Sequence, residues 1–290
     1  MKKRTWISIA LLAVCLVTFF GYRTVKRLRV DKKAPQIDVS AGVQQISVKD
    51  TADALLQGIT AKDDTDGDVT ASLVVEQIRL LDSDGNASVS YAAFDRAGNV
   101  AKISRQVRYS DYESPRFSLD SPLLFTQSVS MDVLDRIHAT DVFDGDITRR
   151  VRATSLSENT GSDTGVHEVV FRVTNSMGDA VELILPVEVY SAGSYQAALR
   201  LTDYLIYLPV GADFHAKDYL DSFTVGHDDI SLKNGLADNM SLKTSGTVDT
   251  QNPGVYSVGY LITQTVRNTG NREEGLTYKG YSKLIVVVEE

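Results

Sequence analysis

A short acidic pattern in this chain returns after 78 residues, and that echo limits what the chain can fold into more than any other feature. Ala61, Asp63, Asp66, Gly67, Asp68 and Thr70 recur as Ala139, Asp141, Asp144, Gly145, Asp146 and Thr148. Ahead of each copy stands an x-Pro step, Ala34-Pro35 and Ser114-Pro115, where the residue before proline is pushed into extended backbone. Behind each copy comes an alternating stretch ending in a polar turn. Val89, Tyr91 and Ala93 lead to Asp95, Gly98 and Asn99, while Val169, Phe171 and Val173 lead to Asn175, Gly178 and Asp179. A second alternating stretch closes each copy, through Ala101, Ile103, Val107 and Tyr109 and through Val181, Leu183, Leu185, Val187 and Val189. Period-two apolar patterning broken by an Asp/Asn…Gly turn predicts an antiparallel hairpin with one buried face.

A looser third copy follows. Residues 206–211 read as a first strand and turn, and residues 226–231 stand where the Asp-Gly-Asp element would be. Tyr256, Val258, Tyr260 and Ile262 alternate, residues 267–275 enlarge the last hairpin, and residues 283–288 form a final strand. Beyond residue 33 no long helical period is present. The expected architecture is therefore all-β: residues 34–111, 114–191 and a divergent 198–290, with short linkers near 111–114 and 191–197. The 290 residues suit modules of about 80–100 residues each. The one cysteine, Cys15, lies outside them, so no disulfide or thiolate-bound metal can hold the body, and each module is expected to rest on its own apolar core.

Residues 1–33 differ in kind. Nine of the 30 Lys and Arg lie there with one of the 38 acids, Asp31, which leaves 21 basic and 37 acidic side chains in residues 34–290. So acidic a body repels nucleic acid. Residues 5–22 carry no charge and are flanked by Lys2, Lys3, Arg4 and Arg23, with Trp6 and Tyr22 at the ends. Eighteen residues at about 1.5 Å each just cross a hydrocarbon layer of about 30 Å, so a transmembrane signal-anchor over about 5–22 is expected, bedded in membrane lipid. A cleaved signal peptide fits less well, because the stretch ends on Phe19, Phe20, Gly21 and Tyr22 rather than on a small-residue site. Basic residues are more numerous after the span than before it, which argues for a cytoplasmic body. A long body translocates largely regardless of charge, and the module pattern favours the extracytoplasmic side of the cytoplasmic membrane.

The pattern x-Pro-x-Ile, then Asp-Gly-Asp-Val/Ile-Thr, then Gly-x-Tyr-x-Val-x-Tyr, then Asp-x-x-Gly-Asn resembles the bacterial surface immunoglobulin-like modules, relatives of the hyalin-repeat and bacterial Ig-like families. The first module carries it most fully, in Ala34 to Ile37, Asp66 to Thr70, Tyr91 and Asp95 to Asn99. The second departs at Asn175 to Asp179, and the third keeps residues 254–260 but lacks the acidic turn. The resemblance implies tandem immunoglobulin-like β-sandwiches of the kind used as stalks, adhesion modules and accessory domains. It leaves the ligand open.

Two groups of residues are candidate sites. Asp63, Asp64, Asp66, Asp68 and Asp95, and again Asp141, Asp144 and Asp146, offer the oxygen ligands that calcium takes, although neither set follows the EF-hand spacing. The competing and favoured reading is turn chemistry, with the aspartates bonding their own backbone and Gly67 and Gly145 left-handed. Tyr278 and Tyr281 could form a contact patch for sugar or protein, against the plainer reading of tyrosine as strand filler. His138, His167, His215 and His227 show no metal-ligand spacing. No nucleophile elbow or phosphate loop is present. The expected function is a non-catalytic, membrane-anchored cell-surface protein that binds protein or polysaccharide at the envelope. A structural spacer or scaffold in a membrane complex is the first alternative, and a wall-glycan hydrolase the second.

Overall fold

The computed structural model describes residues 2–28, 31–80, 82–127, 132–155, 163–266 and 275–290. Contacts divide the chain into two compact units, Met1–Tyr112 and Glu113–Glu290.

The first unit opens with helix α1 (Lys2–Leu28), which contains the whole uncharged stretch. Its described side chains, Trp6 and residues 11–23, are exposed. Among the described residues no helix is long and apolar enough to cross a membrane. The body follows as β1 (Gln36–Val39), β2 (Gln44–Ile46), the one-turn α2 (Ala52–Leu55), β3 (Ile59–Asp63), β4 (Gly67–Asp68), β5 (Val74–Leu80), β6 (Asn86–Phe94) and β7 (Val100–Tyr109). Two sheets form, in the orders β1-β3-β4 and β2-β7-β6-β5. The opening strand is thus split: β1 runs antiparallel to β3, whereas β2 crosses over to run parallel to β7. Ala87, Val89, Tyr91 and Ala93 of β6 are all buried, as strict alternation on one covered face requires. Arg105 is buried too. Its guanidinium donates to the Leu55 and Gln57 carbonyls at the end of α2 and to the Tyr91 hydroxyl, giving the short helix's last carbonyls a charged donor.

The second unit repeats this plan and then extends it. Strands β8 (Arg116–Leu119), β9 (Leu124–Thr126), β10 (Ile137–Asp141), β11 (Gly145–Asp146), β12 (Arg152–Ser155), β13 (Gly165–Thr174) and β14 (Ala180–Tyr190) form sheets β8-β10-β11 and β9-β14-β13-β12. The switch of the opening strand is the same, with β8 antiparallel to β10 and β9 parallel to β14. The remaining strands are β15 (Ala197–Leu201), β16 (Leu205–Pro209), β17 (Leu220–Val225), β18 (Asp228–Ser231), β19 (Met240–Ser245), β20 (Gly254–Val266) and β21 (Leu276–Glu289). Here β15 pairs antiparallel with β17, and β16 parallel with β21, so the divergent stretch keeps the same switch.

The divergent stretch differs in one respect. β15 also pairs parallel with the start of β21, through Ala197 with Gly280 and Ala198 with Tyr281, and this joins seven strands into one sheet. The approach needs glycine at 280, because a Cβ there would lie 2.8 Å from the Phe223 ring and 3.1 Å from the Ala197 carbonyl. The enlarged hairpin tip at 267–274 lies outside the described residues.

Strand β21 is apolar on both faces. Leu284, Val286 and Val288 enter a core with Phe223, Val258, Tyr260 and Ile262. Ile285 and Val287 enter the core built on Phe117, Ile137, Phe171 and Leu185, together with Leu205 of β16. The Tyr207 hydroxyl accepts from the Phe117 amide at 3.1 Å, and Arg116 reaches Glu289 at 2.5 Å. The core of residues 114–191 is therefore closed by strands from residues 198–290. The expectation of a separate core for each module fails for residues 114–191 and 198–290, which share one, because a strand buried on both faces has no free side.

Ile285→Ala, which removes a side chain that is 1% exposed, is expected to destabilise the second unit by about 2–5 kcal/mol. Deleting residues 197–290 should lower the stability of residues 113–191 by at least as much. Urea melts followed by near-ultraviolet circular dichroism test both, and a truncated chain whose second repeat melts unchanged would refute the shared core.

Candidate functional site

Each acidic turn begins at the end of a strand. In the first, the Asp63 Oδ1 accepts from the Thr65 and Asp66 amides at 2.8 and 2.9 Å. In the second, the Asp141 Oδ1 accepts from Phe143 and Asp144, both at 2.9 Å. These are aspartates bonding their own turn, and Gly67 and Gly145 stand at φ +78° and +68°, where a side chain would be strained. Asp68 accepts from the Thr70 amide and Asp146 from the Thr148 amide. The threonine hydroxyls and amides hold both carboxyls below the usual aspartate range. The same hydroxyls accept from the Ala61 and Ala139 amides, which ties each turn to its strand.

The other aspartates reach further. Asp66 accepts from the Arg96 amide at 2.8 Å. Asp144 takes the Ser176 amide and hydroxyl at 2.7 and 2.6 Å and pairs with Arg150. In both repeats the carboxylate after the strand clamps the turn of the following hairpin. Asp64 is exposed and pairs with Lys33, whose ammonium pKa it raises.

The repeats part company at the buried centre. In the second, the Asn175 amide donates to the Asp141 Oδ2 at 3.0 Å, so both oxygens of that carboxylate have donors. In the first, Asp95 stands at the corresponding place. It accepts from the Asn99 amide and side chain at 2.8 and 2.6 Å and has no hydrogen to offer Asp63. Asp63 and Asp95 are 7% and 8% exposed, and the Asp63 Oδ2 is buried without a hydrogen-bond partner. Asp31 joins them, so that one carboxylate oxygen from each of the three lies within 4.8 Å of the others. The Lys33 amide, and after it the Thr65 hydroxyl, hold the Asp31 carboxyl below its usual range. Of the candidate ligands in the first turn, the structure thus brings together Asp63 and Asp95 and leaves Asp64, Asp66 and Asp68 outside. Asp31 was not among those candidates, because it precedes the x-Pro start by three residues and shares no motif with the turns.

Tyr278 and Tyr281 are three apart on a strand, so they face opposite sides of it. Tyr278 packs on the Phe223 core. The Tyr281 ring stacks on Tyr195 at 5.1 Å and 19°, and Tyr195 meets Tyr190 edge-on at 5.1 Å. The Tyr281 hydroxyl donates to Glu188 at 3.2 Å, and burial followed by the Glu188 charge pushes its pKa up. These three rings, with Pro122, Arg136 and Gln196, line an open groove of about 450 Å³. Arg136 lies over the Phe125 ring at 4.0 Å and donates to the Leu124 carbonyl, so its position is fixed. Tyr190 and Tyr195 were not legible as a pair, since they are brought together only by the bend between β14 and β15.

The fold and these sites define an all-β protein of repeated seven-strand sets whose acidic turns lock neighbouring hairpins. No protein-family model matches the chain. It is similar to the pesticidal crystal protein Cry22Aa of Bacillus thuringiensis, with 30% identity over 144 residues, covering 50% of this chain and 19% of that protein. Among solved structures it is similar to the M60 catalytic domain with the CBM51-1 and CBM51-2 domains of ZmpB from Clostridium perfringens. That match has 13% identity and a TM-score of 0.25, covering 89% of this chain and 43% of the other. It is also similar to Drosophila N-cadherin EC1-4, with 12% identity and a TM-score of 0.21, covering 90% of this chain and 76% of the other.

Thr148→Val should cost about 1–3 kcal/mol at neutral pH, by leaving the Ala139 amide without its acceptor. It also releases Asp146, whose lowered pKa stabilises the fold above the unfolded value and ceases to as pH falls through the folded value. The difference between variant and parent should therefore narrow on acidification. Urea melts at pH 7 and near pH 3 measure it; a constant difference would show that the hydroxyl does not act through Asp146.

Proposed function

We propose that this chain is a non-catalytic binding protein of the cell surface, in which three tandem immunoglobulin-like β-sandwiches are held by an N-terminal membrane anchor and take an envelope polysaccharide. The observation that carries this reading is the groove lined by Tyr190, Tyr195 and Tyr281. Tyrosine rings offer broad rigid faces with polar tips, suited to the apolar face and hydroxyl rim of a sugar ring. Arg136, Gln196 and Glu188 lie at or beside them as hydrogen-bonding groups. The sandwich reading is supported by the opening-strand switch, which in the first two strand sets places β1 and β2, and β8 and β9, in different sheets, and which the third set repeats within its one seven-stranded sheet. The anchor reading rests on the sequence, on the uncharged residues 5–22 between Lys2, Lys3, Arg4 and Arg23, and not on the described part of α1, which by itself is not long and apolar enough to span a membrane. The acidic body beyond residue 33 suits an exposed, soluble extracytoplasmic part.

Tyr195→Ala tests the groove. An aromatic contact is worth about 0.5–1.5 kcal/mol beyond area burial, so retention on immobilised wall polysaccharide should fall about 3- to 10-fold when measured well below the melting temperature, which the loss of the Tyr190 and Tyr281 contacts also lowers. Undiminished retention would move the binding surface elsewhere, and retention of a protein from the same envelope fraction in place of glycan would replace the ligand class. Placement is tested separately by a C-terminal tag on intact cells stripped of wall. Added protease should remove the tag, and a protected tag would put the body in the cytoplasm.

A further inference from the structure

We infer that Asp31, Asp63 and Asp95 bind a divalent cation of the calcium type, at a place where the second repeat satisfies the matching Asp141 oxygen with the Asn175 amide. The inference does not depend on which ligand the tyrosine groove takes. Three observations carry it. One oxygen from each carboxylate lies within 4.8 Å of the others, and oxygens coordinating one calcium ion at about 2.3–2.6 Å lie at most about 5 Å apart. Asp63 and Asp95 are more than nine-tenths buried, and the Asp63 Oδ2 has no hydrogen-bond partner, although an unpaired buried carboxylate oxygen is costly to leave so. Finally, among the described residues no Lys or Arg forms an ion pair with any of the three. Lys33 is taken by Asp64 and Arg96 by Asp66.

The second repeat serves as an internal control. Its turn has the same backbone bonds at Asp141, yet Asn175 turns its amide toward the Asp141 Oδ2. Where that amide is present the buried oxygen is satisfied by protein, and where Asp95 replaces it the satisfying group must come from outside. Turn chemistry explains the Oδ1 of Asp63, which both repeats share, but not the Oδ2. Asn99 adds to the cluster by donating to Asp95 and to the Asp31 and Lys33 carbonyls at 3.2 Å, which holds residues 31–33 against the end of β6. A bound cation would therefore clip this segment, just past α1, to β3 and β6, with water completing the six to eight oxygens that calcium takes.

Isothermal titration of the full chain in detergent with calcium chloride should show one saturable site, with Kd on the order of 10⁻⁴–10⁻³ M as in extracellular modules. Magnesium chloride should bind at least ten-fold more weakly. Asp95→Asn places the second repeat's amide opposite Asp63. It should abolish calcium uptake while raising the calcium-free melting temperature, so loss of binding is not confused with loss of fold. Asp31→Asn should weaken binding about ten-fold or more. Absence of a saturable site in the parent chain, unaltered uptake by Asp95→Asn, or equal affinity for magnesium would each overturn the assignment.

Discussion

The burial of β21 on both faces is the constraint on which the second unit depends. An alternating strand can close one core and show its other face to water, and β6, β7, β13 and β14 are built that way. Leu284 to Val288 cannot, because five successive apolar side chains must be covered above and below. The β-branched run at Ile285, Val286, Val287 and Val288 keeps the segment extended. The solution is a strand that belongs to two cores at once, with Leu205 and Tyr207 of β16 following it into the same interface. The parallel pairing of β15 at Gly280 then fixes the strand's other end. Residues 113–290 form one compact unit as a result, although their sequence is laid out as two repeats.

Much of this was legible in the sequence. The 78-residue echo, the alternating hairpins and the Asp-Gly-Asp turn lie where their patterns place them, because each is a local consequence of side-chain period or backbone chirality. The signal for the shared core was present too, in the unbroken apolar run at 284–288, but a continuous run does not say what covers its second face. The opening-strand switch was not legible. Nothing in residues 36–46 distinguishes pairing with β3 from pairing with β7, since both partners are distant in the chain. The tyrosine groove failed for a similar reason. Period two separates Tyr278 from Tyr281, and the partners of Tyr281 come from β14 and the linker beyond it.

The carboxylates give the sharpest case. A repeated motif fixes what the backbone needs, and Asp63, Asp68, Asp141 and Asp146 all serve their own turns in both copies. It does not fix the charge at the buried centre, which depends on the partner across the hairpin. Asp95 and Asn175 occupy one geometric place and differ by a single group, yet one copy leaves a buried oxygen unpaired and the other pairs it.

The same division occurs in the core, where buried Arg105 in β7 stands at the place of Leu185 in β14. Arg105 answers the carbonyls of α2, where the second repeat has the 3₁₀ turn Val133–Asp135. In both pairs the polar residue of the first repeat is tied to something outside the shared strand set, α2 in one case and residues 31–33 in the other. The apolar or amide residue of the second repeat satisfies its surroundings from within the set. The fold therefore tolerates either solution at these two positions, and local chemistry, rather than the repeat itself, decides which repeat can take up a further ligand.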